Sequence, residues 1–486
     1  MKKIFLISAF ILIATYGFAI ATLPQYSSKV PILYWTTDPN PARMEQIQGF
    51  EEWMEEKGYP PVDLRLDTGN LGVEKIIIQA AAGVASDIVQ GGAGQLRFFV
   101  KAGILKDVTH LAKDYGFGID KTYRAVKDDI FVDGRQYGFP CNVTASPLTI
   151  NRYFIEKENL PEPKFDWTWD EFLSWCQVVT KEREGRTKRY AVTPFGADRL
   201  WPGNGGPIFN ETMTRCIVDS PQVKEATEFY YDLMFKYEVM PTPAAVESMA
   251  SQSGYGGTNL QVVGGGDILA SPWGRYSFIQ LRRFESFKPD VALLPYKVMP
   301  MQRVSARGAG ITACSENPEL AARFLQYLAE ERYNRQIVKD ADALPPNPEA
   351  AKWETFTAPP EHPEEGPANV KYYRAAAEYG VGTEYSLYVN PFTVKRIIDN
   401  YLSGLDSQAI DIDTALRRMQ SDINNRIDNT LREDKQLRKQ YEKAMKQQEK
   451  INQLKKQGKE IPLEWIENPV IRRLAESGKW PVEEKK

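Results

Sequence analysis

The chain has 486 residues, more than one hydrophobic core usually organises, so two lobes are expected. Its 42% hydrophobic and 26% charged residues fit a folded body, and a net charge of −3 argues against a nucleic-acid binder. Only two histidines, His110 and His362, occur, which removes most His-based metal and triad chemistry.

Lys2 and Lys3 precede an apolar run from Ile4 to Ala21 that ends Ala19-Ile20-Ala21. A basic start, an apolar centre and small residues at the end predict a signal peptide over residues 1–21. An uncleaved membrane anchor is the other reading. Either predicts a periplasmic or other extracytoplasmic location. The four cysteines, Cys141, Cys176, Cys216 and Cys314, have no C-x-x-C spacing. Export permits disulfides, and isolated buried thiols are an equal expectation.

Residues 31–36 read as a strand, and Met44, Ile47, Phe50 and Met54 repeat as one helix face. Alternating Val62, Leu64 and Leu66 predict a second strand, and 73–82 a second helix. Ser86-Asp87-Ile88-Val89 predicts a third strand, ending at Gly91-Gly92, followed by a helix over 94–102. This alternation implies an α/β fold with a parallel sheet, whose ligand crevice lies outside the carboxyl ends of the strands. Those ends carry Trp35 to Asp38, Asp67-Thr68-Gly69 and Gly91-Gly92.

Asp133-Gly134 predicts a hairpin turn, and Leu148-Thr149-Ile150 a strand. Thr168 with Glu171 forms a capping box for a helix that buries Phe172, Trp175 and Val179. Asn317 is the expected cap of a helix with Pro318 in its first turn. The Pro- and Glu-rich stretch 344–369 reads as connector. Leu416, Met419, Ile423 and Ile427 mark a late helix face. Residues 432–460 then carry ten Lys/Arg against five Asp/Glu, with sparse apolar positions. That pattern predicts a solvated helical extension; contact with a membrane surface or a partner is the sharper reading. No phosphate-binding loop, G-x-S-x-G elbow or EF-hand is present. Two carboxylates could still serve a glycosidase.

Asp133-Gly134-Arg135-Gln136-Tyr137-Gly138-Phe139-Pro140, running into Leu148-Thr149-Ile150-Asn151-Arg152, resembles the crossover of family 1 extracellular solute-binding proteins of ABC importers, the maltose-binding-protein class. Trp167-Thr168-Trp169-Asp170-Glu171-Phe172, Gly266 to Trp273, Ala309 to Thr312 and Ser315 to Leu325 are similar to four further motifs of that family, in the same order. The resemblance covers about residues 30–430. It departs where the usual Tyr-Asn-Lys is Ile150-Asn151-Arg152, and where Thr144 stands at a position that some sugar binders give to a carboxylate.

The resemblance implies a two-lobed periplasmic-binding-protein fold, type II-like, with a helical C-terminal extension. The first lobe would take residues 30–142 and 297–347, the second 148–296 and 350–430, with 431–486 as a charged extension. Hinge closure would grip a small solute, expected to be a mono- or oligosaccharide, and present it to a membrane permease. No enzyme activity, cofactor, metal or nucleic acid is implied. Aromatic rings cover the apolar faces of sugars, and polar side chains satisfy the hydroxyls. That gives Trp35, Trp201, Trp273 and Tyr385 as candidate walls, and Asp38, Asp67, Thr68, Asn142, Thr144 and Arg307 as candidate polar contacts. Trp53, Trp169 and Trp175 lie on helix faces and are assigned to the core. A non-sugar solute on the same scaffold, an exported carbohydrate-active enzyme and a tail-docking subunit are the alternatives.

Overall fold

The computed structural model describes residues 30–183, 186–249 and 257–481; the expected signal peptide lies outside them. Strand β1 (Ile32–Thr36) leads to α1 (Ala42–Glu56), β2 (Asp63–Asp67), α2 (Val73–Ala81), β3 (Ile88–Gly92) and α3 (Ala93–Lys101). These follow the predicted alternation, because each apolar repeat is closed by Gly or Pro. Strand β1 pairs in parallel with both β2 and β3. The hairpin of β4 (Phe131–Val132) and β5 (Arg135–Gln136) turns at Asp133 and Gly134, both with positive φ. Strands β6 (Phe139–Ala145) and β12 (Gln302–Ile311) complete the sheet, with β12 antiparallel to β3 and β6. The first sheet is therefore mixed rather than wholly parallel.

A second sheet has the order β11-β7-β10-β9-β8, formed by β7 (Leu148–Asn151), β8 (Lys181–Arg183), β9 (Arg186–Val192), β10 (Ile268–Pro272) and β11 (Pro289–Ala292). The chain crosses between the sheets after β6 and returns between β11 and β12. In each lobe, helices pack on a sheet around its own core. Helix α4 (Trp169–Val179) carries the predicted Thr168–Glu171 capping box and buries Phe172, Trp175 and Val179. Helix α5 (Pro221–Phe235) packs beside it in the second-lobe core. Helix α6 (Pro318–Ala329) starts at the predicted place, but the Asn317 side chain makes no capping bond.

Helix α7 (Glu331–Lys339) precedes the Pro/Glu-rich stretch. That stretch is no simple connector: it holds short helical turns that bury Ala350, Phe356 and Glu365. Helix α8 (Gly366–Ala377) lies at the seam of the lobes. Its Tyr372 and Ala375 share one core with Val304 and Ala306 of the first sheet and Val291 of the second. Strand β13 (Gly380–Val381) pairs with the start of β12.

Helices α9 (Pro391–Asp406) and α10 (Ile412–Glu433) pack on the second lobe, and α10 buries the predicted Leu416, Met419, Ile423 and Ile427. Helix α10 runs past the expected boundary at 431. Then come α11 (Lys435–Lys456) and α12 (Pro469–Glu476). The extension is helical but not simply solvated. Ile451, Ile466, Val470, Ile471 and Leu474 are wholly buried. Val470 and Leu474 share a small core with Met299, Met301 and Val381. No helix among the described residues is long and apolar enough to cross a membrane. All four cysteines are free thiols.

Candidate functional site

A cavity of about 490 Å³ opens between the lobes. Thr144, Gln302, Arg303 and Ser305 line it from the first sheet, and Asp198, Phe209, Glu384 and Tyr385 from the other side. Strand periodicity explains Thr144, Arg303 and Ser305. Along β12, Val304 and Ala306 are buried while Arg303, Ser305 and Arg307 are partly exposed, and Thr144 stands opposite Ser305 in register. Asp198 lies in a short helical turn after β9. Its Oδ2 accepts from Arg303 Nη1 at 2.6 Å, an ion pair that joins the lobes across the cavity. Both side chains are about a quarter exposed, so water screens the pair only in part.

The rims of the lobes also touch. Tyr385 packs over Gly94 of α3, where an added Cβ would lie 2.9 Å from the ring, and Phe98 meets Phe392 edge-on at 6.4 Å. Lys101 Nζ donates to Leu387 O. Burial pushes the Tyr385 hydroxyl up to about 12, so it remains a neutral donor and acceptor.

Thr144 and Tyr385, both expected from the sequence, thus line the cavity. Three other candidates meet in one ion-pair network inside the first lobe. Arg43 binds Asp38 at 3.0 Å and Asp342 at 2.7 Å; Arg307 binds both carboxylates, and Asn142 Nδ2 donates to Asp342 at 3.1 Å. Burial opposes the charge on Arg43, yet Asp342 and its other neighbours raise its pKa above the ordinary value. Asp38, Asn142 and Arg307 therefore brace the segment after β1 against the middles of β6 and β12. Asp67 ties the ends of the parallel strands, accepting from Thr36, Ser86 and Asn70 at 2.9–3.1 Å. Burial raises its pKa, but these bonds outweigh burial and leave it below the usual carboxylate value. Thr68 beside it is exposed.

Two tryptophan expectations are corrected. Trp35 has no exposure and packs on Phe324, ring centroids 4.8 Å apart, because alternation puts it with Leu33 on the core side of β1. Trp201 also has none; its Nε1 donates to Thr227 of α5 at 2.9 Å. Neither faces the cleft. Trp273 is half-buried against Val246, Val262, Val263 and Ile268 and does not line the cavity, though its carbonyl accepts from Tyr372 at 3.2 Å. Trp53, Trp169 and Trp175 are in the core, as assigned.

Sequence reasoning missed Arg303, Ser305, Asp198 and Glu384. The alternation Gln302-Arg303-Val304-Ser305-Ala306-Arg307 could have found the first two. Nothing local marks Asp198 or Glu384. His110 pairs with Asp114 at the surface. Among the described residues, metal-capable side chains converge only at His362, Glu364 and Glu365, where Arg282 already holds Glu365 at 2.6 Å.

Asp129, beneath β12, accepts from Ala306 N at 3.1 Å, and burial pushes its carboxyl up to about 8. It binds its proton more tightly folded than unfolded, so it lowers stability as pH rises from about 4 through its folded value. Arg97 opposes this shift and Asp128 adds to it. Asp129→Asn is expected to flatten that slope, which urea midpoints at pH 5 and pH 8 measure.

Structures of solute receptors share the fold. An ABC substrate-binding protein from Listeria monocytogenes in complex with cycloalternan superposes with a TM-score of 0.67 at 20% identity, over 82% of this chain and 98% of that one. An ABC transporter solute-binding protein from Thermotoga lettingae bound to α-D-tagatose gives 0.65 at 17%, over 82% and 100%. UgpB from Mycobacterium tuberculosis, in complex with glycerophosphocholine, gives 0.65 at 16%, over 83% and 100%. No curated protein sequence matches the chain. The family model of bacterial extracellular solute-binding proteins matches residues 37–335, well over half of the sequence, and the chain belongs to that family.

Proposed function

We propose that this protein is an exported, non-catalytic receptor that takes a mono- or oligosaccharide into the cavity between its lobes and hands it unchanged to an ABC importer permease. The observation that carries this reading is a cavity to which both lobes bring polar side chains and which Arg303–Asp198 crosses. A solute that hydrogen-bonds both sides favours the closed arrangement over the open one, which is all that coupling requires. The hinge divides the chain near residues 142–147, 294–296 and 345–348. Thr144, Ser305, Arg303, Asp198 and Tyr385 contact the solute, while Asp38, Asn142 and Arg307 hold their strands in place. The signal peptide directs the chain out of the cytoplasm. Lys439, Lys443, Lys446 and Lys450 on the exposed side of α11 supply a basic face toward an anionic membrane surface.

A thermal-shift screen with mono- and oligosaccharides tests the reading, since a solute that binds only the folded state raises its melting temperature. A positive shift with at least one sugar is expected. Arg303→Gln should then weaken that sugar by about tenfold or more, the scale of one charged hydrogen bond. No shift across the panel, or recovery of a cleaved sugar, contradicts the reading.

A further inference from the structure

Glu384 lines the cavity from the connection between β13 and α9, with 6% of its surface exposed. Its two oxygens are used unequally. Oε2 accepts from the backbone amides of Ile208 at 2.8 Å and Phe209 at 3.2 Å, and from Asn468 Nδ2 at 2.6 Å. Oε1 is buried and has no partner among the described residues. A buried carboxylate oxygen left unpaired is costly.

Asn468 comes from the C-terminal segment, far beyond the family match that ends at 335. It is wholly buried and fixed at both ends. Its Oδ1 caps α12, accepting from Val470 N at 2.9 Å and Ile471 N at 3.2 Å. Its Nδ2 donates to Phe209 O at 2.7 Å as well as to Glu384. The amide cannot flip without losing these bonds. It therefore pins Glu384 Oε2 and, with the two backbone amides, sets the plane of the carboxylate.

Resting on the reading that this cavity is the solute site, we propose that Glu384 recognises a hydroxyl of the bound solute through Oε1, and that the C-terminal segment belongs to the site through Asn468, a positioning residue. The segment is then more than a surface addition to the two lobes.

Glu384→Gln is the discriminating variant. The glutamine carbonyl can face the amides of Ile208 and Phe209, which turns its NH2 toward the solute and replaces an acceptor by a donor. The experiment is calorimetric titration with a saccharide panel that includes tagatose and maltotetraose. It uses the full-length chain, Glu384→Gln, Asn468→Ala, their double variant and Arg303→Gln, each checked by a sugar-free melt. Glu384→Gln is expected to melt close to the parent and to bind about tenfold or more weakly. Asn468→Ala is expected to weaken binding alone and to add nothing in the Glu384→Gln background, the sign of two residues acting through one contact. Parent-like affinity in Glu384→Gln, with Arg303→Gln weakened, overturns the proposal but leaves the cavity as the site. Parent-like affinity in both, or no binding by the parent chain, overturns the cavity reading and this proposal with it. An equal loss from Asn468→Ala in both backgrounds overturns the positioning role.

Discussion

Arg275→Met is expected to destabilise the protein by about 3–5 kcal/mol, the cost of breaking a buried charged network from one side. Arg275 has almost no exposure and follows Trp273-Gly274 on the second lobe. Its guanidinium reaches the first lobe, where it donates to Val338 O at 2.9 Å and Ala343 O at 3.2 Å around the C-terminal end of α7. It also donates to Asn369 Oδ1 of α8 at 2.6 Å. Burial pulls its pKa down to about 10, while Glu365 opposes that pull from 3.9 Å. The guanidinium thus satisfies helix-end carbonyls that have no partner within α7. Methionine fills much of the space but donates nothing, so Ala343 O and Asn369 Oδ1 lose this donor and Val338 O keeps the amide of Ala341 at 3.3 Å. Arg275→Lys should fall between, because an ammonium cannot serve three partners in a fixed planar fork. Urea denaturation measures both. A loss under about 1 kcal/mol for Arg275→Met would show that the seam does not depend on this side chain.

A chain ended at Asp434 is expected to lose solubility or to melt far below the parent. The deletion uncovers the partners of Ile451, Ile466, Val470, Ile471 and Leu474, and each such side chain is worth about 1.5–3 kcal/mol when fully buried. Ordering the segment costs conformational entropy, so the net is smaller than the sum. The deletion also strips Glu211, 1% exposed, of Lys455 at 2.8 Å, Gln448 at 2.7 Å and Trp480 at 3.1 Å. Burial alone raises the pKa of Glu211; with Lys455 beside it the carboxylate stays below the ordinary value. On the first lobe, Arg124 loses Glu476. Size-exclusion chromatography and a melting curve report the outcome. A monomeric, parent-like truncated chain would mean that the segment is a dispensable addition.

Residues 31–102 were legible because their apolar repeats switch cleanly between strand and helix spacing and stop at Gly or Pro. The Thr168–Glu171 cap was legible because both partners lie within one turn. Trp35 was misassigned although its own strand held the answer: it shares parity with Leu33, so it points inward. Trp201 could not be placed from its neighbours, since the Thr227 that takes its indole N–H sits on another helix. Asp198 and Arg303 are 105 residues apart, and only the fold brings them together. The C-terminal segment misled because its high charge hides few apolar positions. Val470, Ile471 and Leu474 are three residues on an eight-residue helix, yet all face inward.

The proposed function places a small solute, chemically intact, in the cavity beside the Arg303–Asp198 pair. A crystal structure grown with the saccharide that gives the largest thermal shift tests it most directly. The account predicts one uncleaved sugar contacting Thr144, Ser305 and Tyr385 while residues of both sheets close on it. An empty cavity with the sugar bound elsewhere, or electron density for a hydrolysed product, would contradict it.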